Sequence, residues 1–551
     1  MIAMKKQIFL CLLFLQTIFG WAQEIRSVAP PDESIFSHVN TPLFVSGETV
    51  LFKVYCTRPG RLSDISKIAY VELIGEDVKP VMRTKVELIN GEGSGQFFFG
   101  SNIPSGNYTL VAYTKWMRNQ QVESFFRRNI TLINPGSLPP LSTDTSSAEK
   151  EVAETAILPS RNLALDKSAY TQREKVMLTI DAAGIGSLKL SVNVRLFPHN
   201  ISSAVLPSSK ENPKSTMAFL PDLRGELITG TVIDKSTGKP LNGVTVTLSA
   251  PSKNFNFLVS QTDADGKYAF NVPSIAGPLY MATLNHAIGD LEIRTDDPFL
   301  GSYEKLRPGK LLLDTSVIKS LGRRYLASQI QNAFQQSSED SAAVIAKKER
   351  FFASPSMIYH LDDFTRFSSM EDVFREIVPE VVVKLKDGKF SLTMRNNITA
   401  ERFYSTPLML IDGIPILDAN VLMNYDPLLV EDIAIMAHRY YYNGLVTEGI
   451  ISIETYTGRA ERLETTEMFR VSYDPPQRAQ AFIEPDSQGG DGETRIPDYR
   501  TQLYWNPSVE VNTAETISFY TGDVAGTYVV DVAGVNTAGD MVQFQTTFIV
   551  K

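Results

Sequence analysis

The sequence predicts a mainly β protein made of two-sheet sandwiches, with one small unit that mixes helix and strand. Three observations lead there. From residue 24 to 134, short runs rich in Val, Ile, Phe, Tyr and Thr follow one another between turn signals, with no helical periodicity between them. The same pattern returns in residues 163–196, 225–297 and 495–551, whereas residues 355–460 alternate short helical and strand patterns. The 551 residues are 43% hydrophobic and 21% charged, with 34 Gly and 30 Pro, ordinary globular usage that excludes a disordered or collagen-like chain. At about 100–200 residues per domain, this length holds about three to five domains.

Charge and ligand counts narrow the function. Lys plus Arg number 53 against 62 for Asp plus Glu, a net charge of -9, so no global positive field exists to hold nucleic acid. Five histidines and two cysteines leave few ligands for zinc or iron and no disulfide framework, and no cofactor is expected.

Residues 1–22 read as a signal peptide. Lys5 and Lys6 precede an apolar run from Ile8 to Leu15, followed by Phe19, Gly20, Trp21 and Ala22, with cleavage expected after Ala22. That run falls short of the ~20 residues of a spanning helix, so an exported protein with no transmembrane segment is expected. Cys11 lies inside the run, poorly placed for a lipid anchor. Cys56 follows Val50, Phe52 and Val54 in an alternating strand, the setting of a buried, inert thiol.

Residues 23–135 form the first expected sandwich, with strands over residues 49–55, 68–73, 81–88, 95–99, 108–113 and 125–133 and a turn at Pro104-Ser105-Gly106-Asn107. The stretch Val45-Ser46-Gly47-Glu48-Thr49-Val50-Leu51-Phe52-Lys53, with Ile103 to Leu110 and Ala112-Tyr113-Thr114, resembles the macroglobulin-type domains of α2-macroglobulin-like proteins. That resemblance implies an immunoglobulin-like sandwich. The family's reactive Cys-Gly-Glu-Gln run is absent, so protease trapping is not implied. Residues 136–160, rich in Ser, Thr, Pro and Glu, read as a linker.

Residues 161–224 offer three strands, too few to close two sheets, and residues 493–551 offer about four more. Together they reach the roughly seven that a sandwich needs. The expectation is one discontinuous macroglobulin-like sandwich, its two parts separated by inserted units. The first insert, residues 225–297, resembles the carboxypeptidase regulatory-like domain through Gly230-Thr231-Val232, Gly238-Lys239-Pro240-Leu241, Gly243 to Leu248 and Thr262 to Phe270. Asp263 and Asp265 there read as an Asp-Gly turn in preference to calcium ligands. Residues 298–354 read as a helical connector, with Leu321, Tyr325, Ile330 and Phe334 at near-helical spacing.

Residues 355–460 resemble the plug domain of TonB-dependent outer-membrane receptors. The motifs are Pro407 to Ile416 with Asp412-Gly413, Asp426 to Met436, and Gly449 to Thr455. The family's plug is followed by a barrel of about 22 strands. Only 93 residues follow Gly458, so a transporter is not expected. Residues 461–492 read as a second linker.

No nucleophile, phosphate-loop, zinc or Rossmann pattern occurs, and no catalytic or metal-binding residue is assigned. His38, His199, His286, His360 and His438 fall in different units. The candidate partner-binding residues are Arg439, Tyr440 and Tyr442, in a Tyr cluster, and Trp116, because Tyr, Trp and Arg suit protein interfaces. The expected function is a non-enzymatic exported scaffold of a Gram-negative envelope, in the periplasm or at the cell surface and associated with the outer membrane. It would dock an outer-membrane, secretion or assembly complex. The alternatives are a glycan- or peptide-binding surface protein and a hydrolase whose carboxylates or Ser and His meet only in three dimensions.

Overall fold

The structure is a computed structural model that describes residues 33–138, 159–197, 205–206, 218–311 except 254, 274, 276 and 285–290, 315–334, 350–463 except 353, 397–402 and 404, 469–479 and 498–551. The expected signal peptide and most of the linker at 136–160 lie outside them. The fold is mainly β, as the sequence predicts. Among the described residues no helix is long and apolar enough to cross a membrane.

The first sandwich holds β1 (Ser34–Val39), β2 (Leu43–Val45), β3 (Thr49–Arg58), β4 (Arg61–Leu62), β5 (Ile68–Ile74), β6 (Pro80–Glu87), β7 (Glu92–Phe98), β8 (Gly106–Thr114) and β9 (Phe126–Ile133). In one sheet β3 lies between β1 on one side and β7 and β4 on the other; the second runs β6-β5-β8-β9. Strict alternation sends Val50, Phe52, Val54 and Cys56 into the core, where the thiol is fully buried. The edge of β9 takes β2 and a short strand, β14 (Val205–Leu206). Those two residues were expected in the second sandwich. They go instead to the free edge of β9, pairing with Arg127 and Arg128, because an open ladder offers unpaired main-chain groups to any extended segment in reach.

The second sandwich is built from two distant stretches, residues 163–196 and the C-terminal residues 502–550. β10 (Leu163–Leu165), β12 (Lys175–Asp181) and β30 (Ala514–Tyr520) make one sheet. The other runs β11 (Ala169–Tyr170), β32 (Met541–Val550), β31 (Gly526–Asn536), β13 (Leu188–Leu196) and β29 (Gln502–Val511). β13 therefore has its two neighbours from the C-terminal stretch, and the Leu196 amide donates to the Thr501 carbonyl at 2.7 Å. The chain leaves this sheet and re-enters it at adjacent points. Leu188, Leu190, Val192 and Val194 share a core with Tyr504, Tyr528, Val530, Val532 and Phe548.

The first insert is a sandwich of β18 (Lys267–Val272), β15 (Glu226–Asp234) and β20 (Leu291–Thr295) on β17 (Asn256–Gln261), β16 (Thr245–Ala250) and β19 (Leu279–Thr283). The Asp263 carboxylate closes the β17–β18 turn by accepting the Asp265 and Lys267 amides, both at 2.9 Å. The helix Thr315–Phe334 lies on the first sandwich: Leu321 packs on Leu43, Val45 and Ile133, and the Arg324 guanidinium forks onto Glu48 at 2.8 and 2.9 Å.

The second insert, residues 355–460, is α+β. Its sheet runs β21 (Met357–His360), β26 (Val430–Tyr442), β27 (Leu445–Thr455), β24 (Leu408–Ile411) and β25 (Ile414–Ile416), beside a hairpin of β22 (Val381–Lys386) and β23 (Lys389–Met394). The helices Met370–Glu376, capped by Ser369, and Ala419–Met423, capped by Asp418, cover it. Asp412, at φ 48° in the β24–β25 turn, is fully buried. Its carboxylate accepts the Thr455 amide and hydroxyl and the Ala460 amide at 2.8, 2.6 and 2.6 Å, tying the Asp-Gly turn to the end of β27.

Residues 461–492, expected as a linker, contain β28 (Phe469–Val471), which pairs antiparallel with the open edge of β19. Phe469, Val471 and Tyr473 alternate with Arg470 and Ser472, too short a pattern to mark a strand alone; the waiting edge makes it one.

The ring of Phe548 meets Tyr170, Phe519 and Tyr528 at 5.3, 6.1 and 5.5 Å, joining strands from both stretches. Phe548→Ala should cost about 3–5 kcal/mol in denaturant unfolding. Amide exchange at Val176, Leu178 and Ile180 should rise as well. An effect confined to residues 526–550 would mean that the two fragments do not fold as one unit.

Candidate functional site

The tyrosine cluster lies at the tip of the β26–β27 hairpin, closed by Asn443-Gly444 at φ 46° and 86°. Both central residues at positive φ make the two-residue turn whose twist matches antiparallel strands, and Asn-Gly suits it. The register pairs Arg439 with Glu448, Tyr440 with Thr447, Tyr441 with Val446 and Tyr442 with Leu445, after a bulge between Met436 and Arg439.

Alternation divides the cluster. Tyr440 and Tyr442 turn inward, with ring centroids 6.2 and 5.0 Å from Phe351; their hydroxyls donate to the carbonyls of Phe351 at 2.8 Å and Phe257 at 3.2 Å. These two rings brace the hairpin against the connector and the sandwich of the first insert. On the opposite face Tyr441 is 67% exposed beside Val446 at 56%. Arg439 lies on that face too, its Nη2 2.7 Å from Glu448 Oε1. The Ser405 hydroxyl, and then Arg439, hold the Glu448 carboxyl down at about 2. Of the expected contact residues, Arg439 is therefore on the open face and Tyr440 and Tyr442 serve as its backing. Tyr441 and Val446 were not singled out from the sequence. Its period of two separates Tyr441 from Tyr440 and Tyr442, but does not say which face a remote Phe351 covers.

Trp116 is 7% exposed, in the turn Trp116–Asn119 after β8, where it offers little surface to a partner. That turn belongs to a buried joint with the sandwich of the first insert. The Lys115 ammonium donates to the Leu227 carbonyl at 2.7 Å, and Lys85 pairs with Glu226 at 2.7 and 2.8 Å. Beside them Asp222, fully buried, accepts the Leu227 amide at 2.8 Å and the Tyr70 hydroxyl at 3.1 Å. Burial pushes its carboxyl up to about 6, against the pull of Lys115.

A second buried cluster joins the first and second sandwiches. His38 Nδ1 lies 2.7 Å from Ser191 Oγ, and His38 Nε2 lies 3.5 Å from Asp531 Oδ2. Tyr55, Gln543 and Gln545 complete it, both glutamine amides donating to Asp531 at 3.1 Å. Burial alone would raise the Asp531 carboxyl, but His38, Arg195 and Gln543 outweigh it and hold the group well below the usual range. Ser, His and Asp thus meet in three dimensions, from residues 153 and 340 apart in sequence. Ser191, His38 and Asp531 are 0%, 1% and 3% exposed, so no substrate reaches the hydroxyl in this arrangement, and Ser191 Oγ also lies 3.0 Å from the Ala533 carbonyl, a competing acceptor for its proton. The cluster works as a polar seam between sandwiches.

No family model matches the sequence, and no curated protein matches it. Among solved structures, Escherichia coli α2-macroglobulin activated by porcine elastase is 11% identical over 94% of this chain and 44% of its own, with a TM-score of 0.25. Salmonella α2-macroglobulin reacted with methylamine is 9% identical over 95% of this chain and 40% of its own, at 0.25. Dimeric latent PorU from Porphyromonas gingivalis is 10% identical over 94% and 34%, at 0.15. The chain spans less than half the length of these proteins, and a likeness of this grade carries no argument. The sandwiches rest on the strand pairings above.

The Asp222 joint has a defined pH response. A carboxyl raised above its unfolded value near 3.8 contributes stability that is fully present below that value and is lost as pH rises through about 6. Asp222→Asn keeps an acceptor for Leu227 but cannot ionise. The stability of the protein relative to this variant should therefore fall by on the order of 2–3 kcal/mol between pH 4 and pH 7. Parallel stability–pH curves for the two proteins would refute the assignment.

Proposed function

We propose that the chain is a non-enzymatic exported scaffold of a Gram-negative envelope that docks an outer-membrane, secretion or assembly complex through the tip of the β26–β27 hairpin. The observation that carries the reading is the braced tip. An exposed Tyr441–Val446 pair sits beside the Arg439–Glu448 pair, on a hairpin held from behind by Tyr440 and Tyr442. Aromatic and Arg side chains supply much of the energy of protein interfaces, and a ribbon already held in shape loses little conformational freedom on binding. The envelope setting is supported by the resemblance of the sequence motifs to macroglobulin-type, regulatory-like and receptor-plug units, and by the signal-peptide pattern at residues 1–22.

The test is recovery of partners from detergent-solubilised envelope. Tyr441→Ala with Val446→Ser removes the exposed pair and leaves the brace. It should lower recovery of the co-purifying complex about tenfold, as for loss of an interface anchor, with the thermal unfolding midpoint unchanged. Undiminished recovery would overturn the reading. A variant with Tyr440→Phe and Tyr442→Phe keeps the open face and should retain most of the recovery.

A further inference from the structure

The segment from β28 to Arg478 crosses from the sandwich of the first insert to the first sandwich, and it is held there like a bound peptide. Phe469–Val471 adds a strand to β19. The half-buried ring of Tyr473 packs on the core of the sandwich of the first insert, with the Lys85 ammonium 4.3 Å from its centroid. Pro475 and Pro476 follow, which fix φ and favour an extended chain before it is bound.

Gln477 then makes four hydrogen bonds to two different sheets. Its amide donates to the Lys85 carbonyl at 2.7 Å, and its carbonyl accepts the Glu87 amide at 2.9 Å, so it joins β6 in parallel register. Its side-chain Oε1 accepts the Gln96 amide at 2.7 Å, and its Nε2 donates to the Gln96 carbonyl at 3.0 Å. β6 is the edge of one sheet and β7 the edge of the other. One residue thus bridges the open side of the sandwich, pairing its main chain with one edge and its side-chain amide with the other. β7 leaves room for it: a Cβ on Gly95 would stand 2.9 Å from Gln477 Oε1. The requirement is specific to glutamine. Asparagine is one methylene short, glutamate has no donor for the Gln96 carbonyl, and alanine has neither group.

We propose that the cleft between β6 and β7 is a docking site for an extended peptide read through a glutamine, filled in cis by Tyr473–Arg478, and that this segment is a clamp fastening the sandwich of the first insert to the first sandwich. Main-chain pairing at an exposed edge supplies affinity, the Gln96 peptide group supplies selectivity, and the two prolines lower the ordering cost.

The test has two arms on the full chain. By hydrogen exchange, Gln477→Asn should speed the Glu87 and Gln96 amides at least tenfold while the amides of β3 within the core stay protected. In the second arm, Tyr473→Ala with Gln477→Ala disables the chain's own segment, and a labelled synthetic peptide of residues 469–479 is added. It should bind this variant at least tenfold more tightly than the unaltered chain, whose cleft is filled, and the same peptide carrying Asn for Gln should bind at least tenfold more weakly. Unchanged exchange at Glu87 and Gln96, no binding of the Gln peptide to the variant, or equal binding of the Gln and Asn peptides would each overturn the proposal.

Discussion

Strand β13 is what the other contacts of the first and second sandwiches depend on, because both of its faces and both of its edges are in use. Leu188, Leu190, Val192 and Val194 enter the second core, while Lys189, Ser191 and Asn193 face the first sandwich and meet Glu92, His38 and the Asn40 carbonyl. β29 and β31, from the C-terminal stretch, take its edges. A slip of one residue would turn the polar set into the apolar core and the apolar set against His38 and Asn40, so register is fixed on both sides at once. The same strand carries the inserts, since residues between Leu196 and Thr501 leave and return through one hydrogen bond of its sheet.

The seams between the sandwiches are polar. His38, Asp531, Ser191 and the glutamines fill one; Lys85, Glu226, Lys115 and Asp222 fill another. Breaking one partner of such a buried pair typically costs about 3–5 kcal/mol, because the other charge is left unpaired, although the intact pair adds little net stability over an apolar contact. Each seam therefore defines one relative placement of its neighbours more strongly than it stabilises either. Gln477 adds a third restraint, bonding the returning chain to β6 and β7. The hairpin tip is presented from a frame held at several points, not from a free linker.

The legible part of the fold is the local part. Alternation in residues 49–55 and 188–194 marks strands, and Thr315–Phe334 has the apolar spacing of a helix that lays Leu321 and Tyr325 on a neighbour. β14 and β28 were not read as strands, since two or three residues, or one short alternation in a polar segment, do not mark one; each is a strand because an edge is open beside it. At the candidate site, the sequence drew attention to the tyrosine cluster and to Arg439, and to the inward Tyr440 and Tyr442 in preference to Tyr441 and Val446.

By itself the sequence determined the fold class, the positions of most strands and turns, and the shortage of strands in residues 163–196, because period, turn chemistry and strand number are properties of neighbouring residues. Only the tertiary structure decided how the strands of residues 163–196 and 493–551 pair, which polar faces are buried, and that His38, Ser191 and Asp531 lie together. An alternating strand states that its two faces differ. Whether the polar face meets water or a remote sandwich with matching donors and acceptors depends on pairings between residues hundreds of positions apart, and no local pattern contains them.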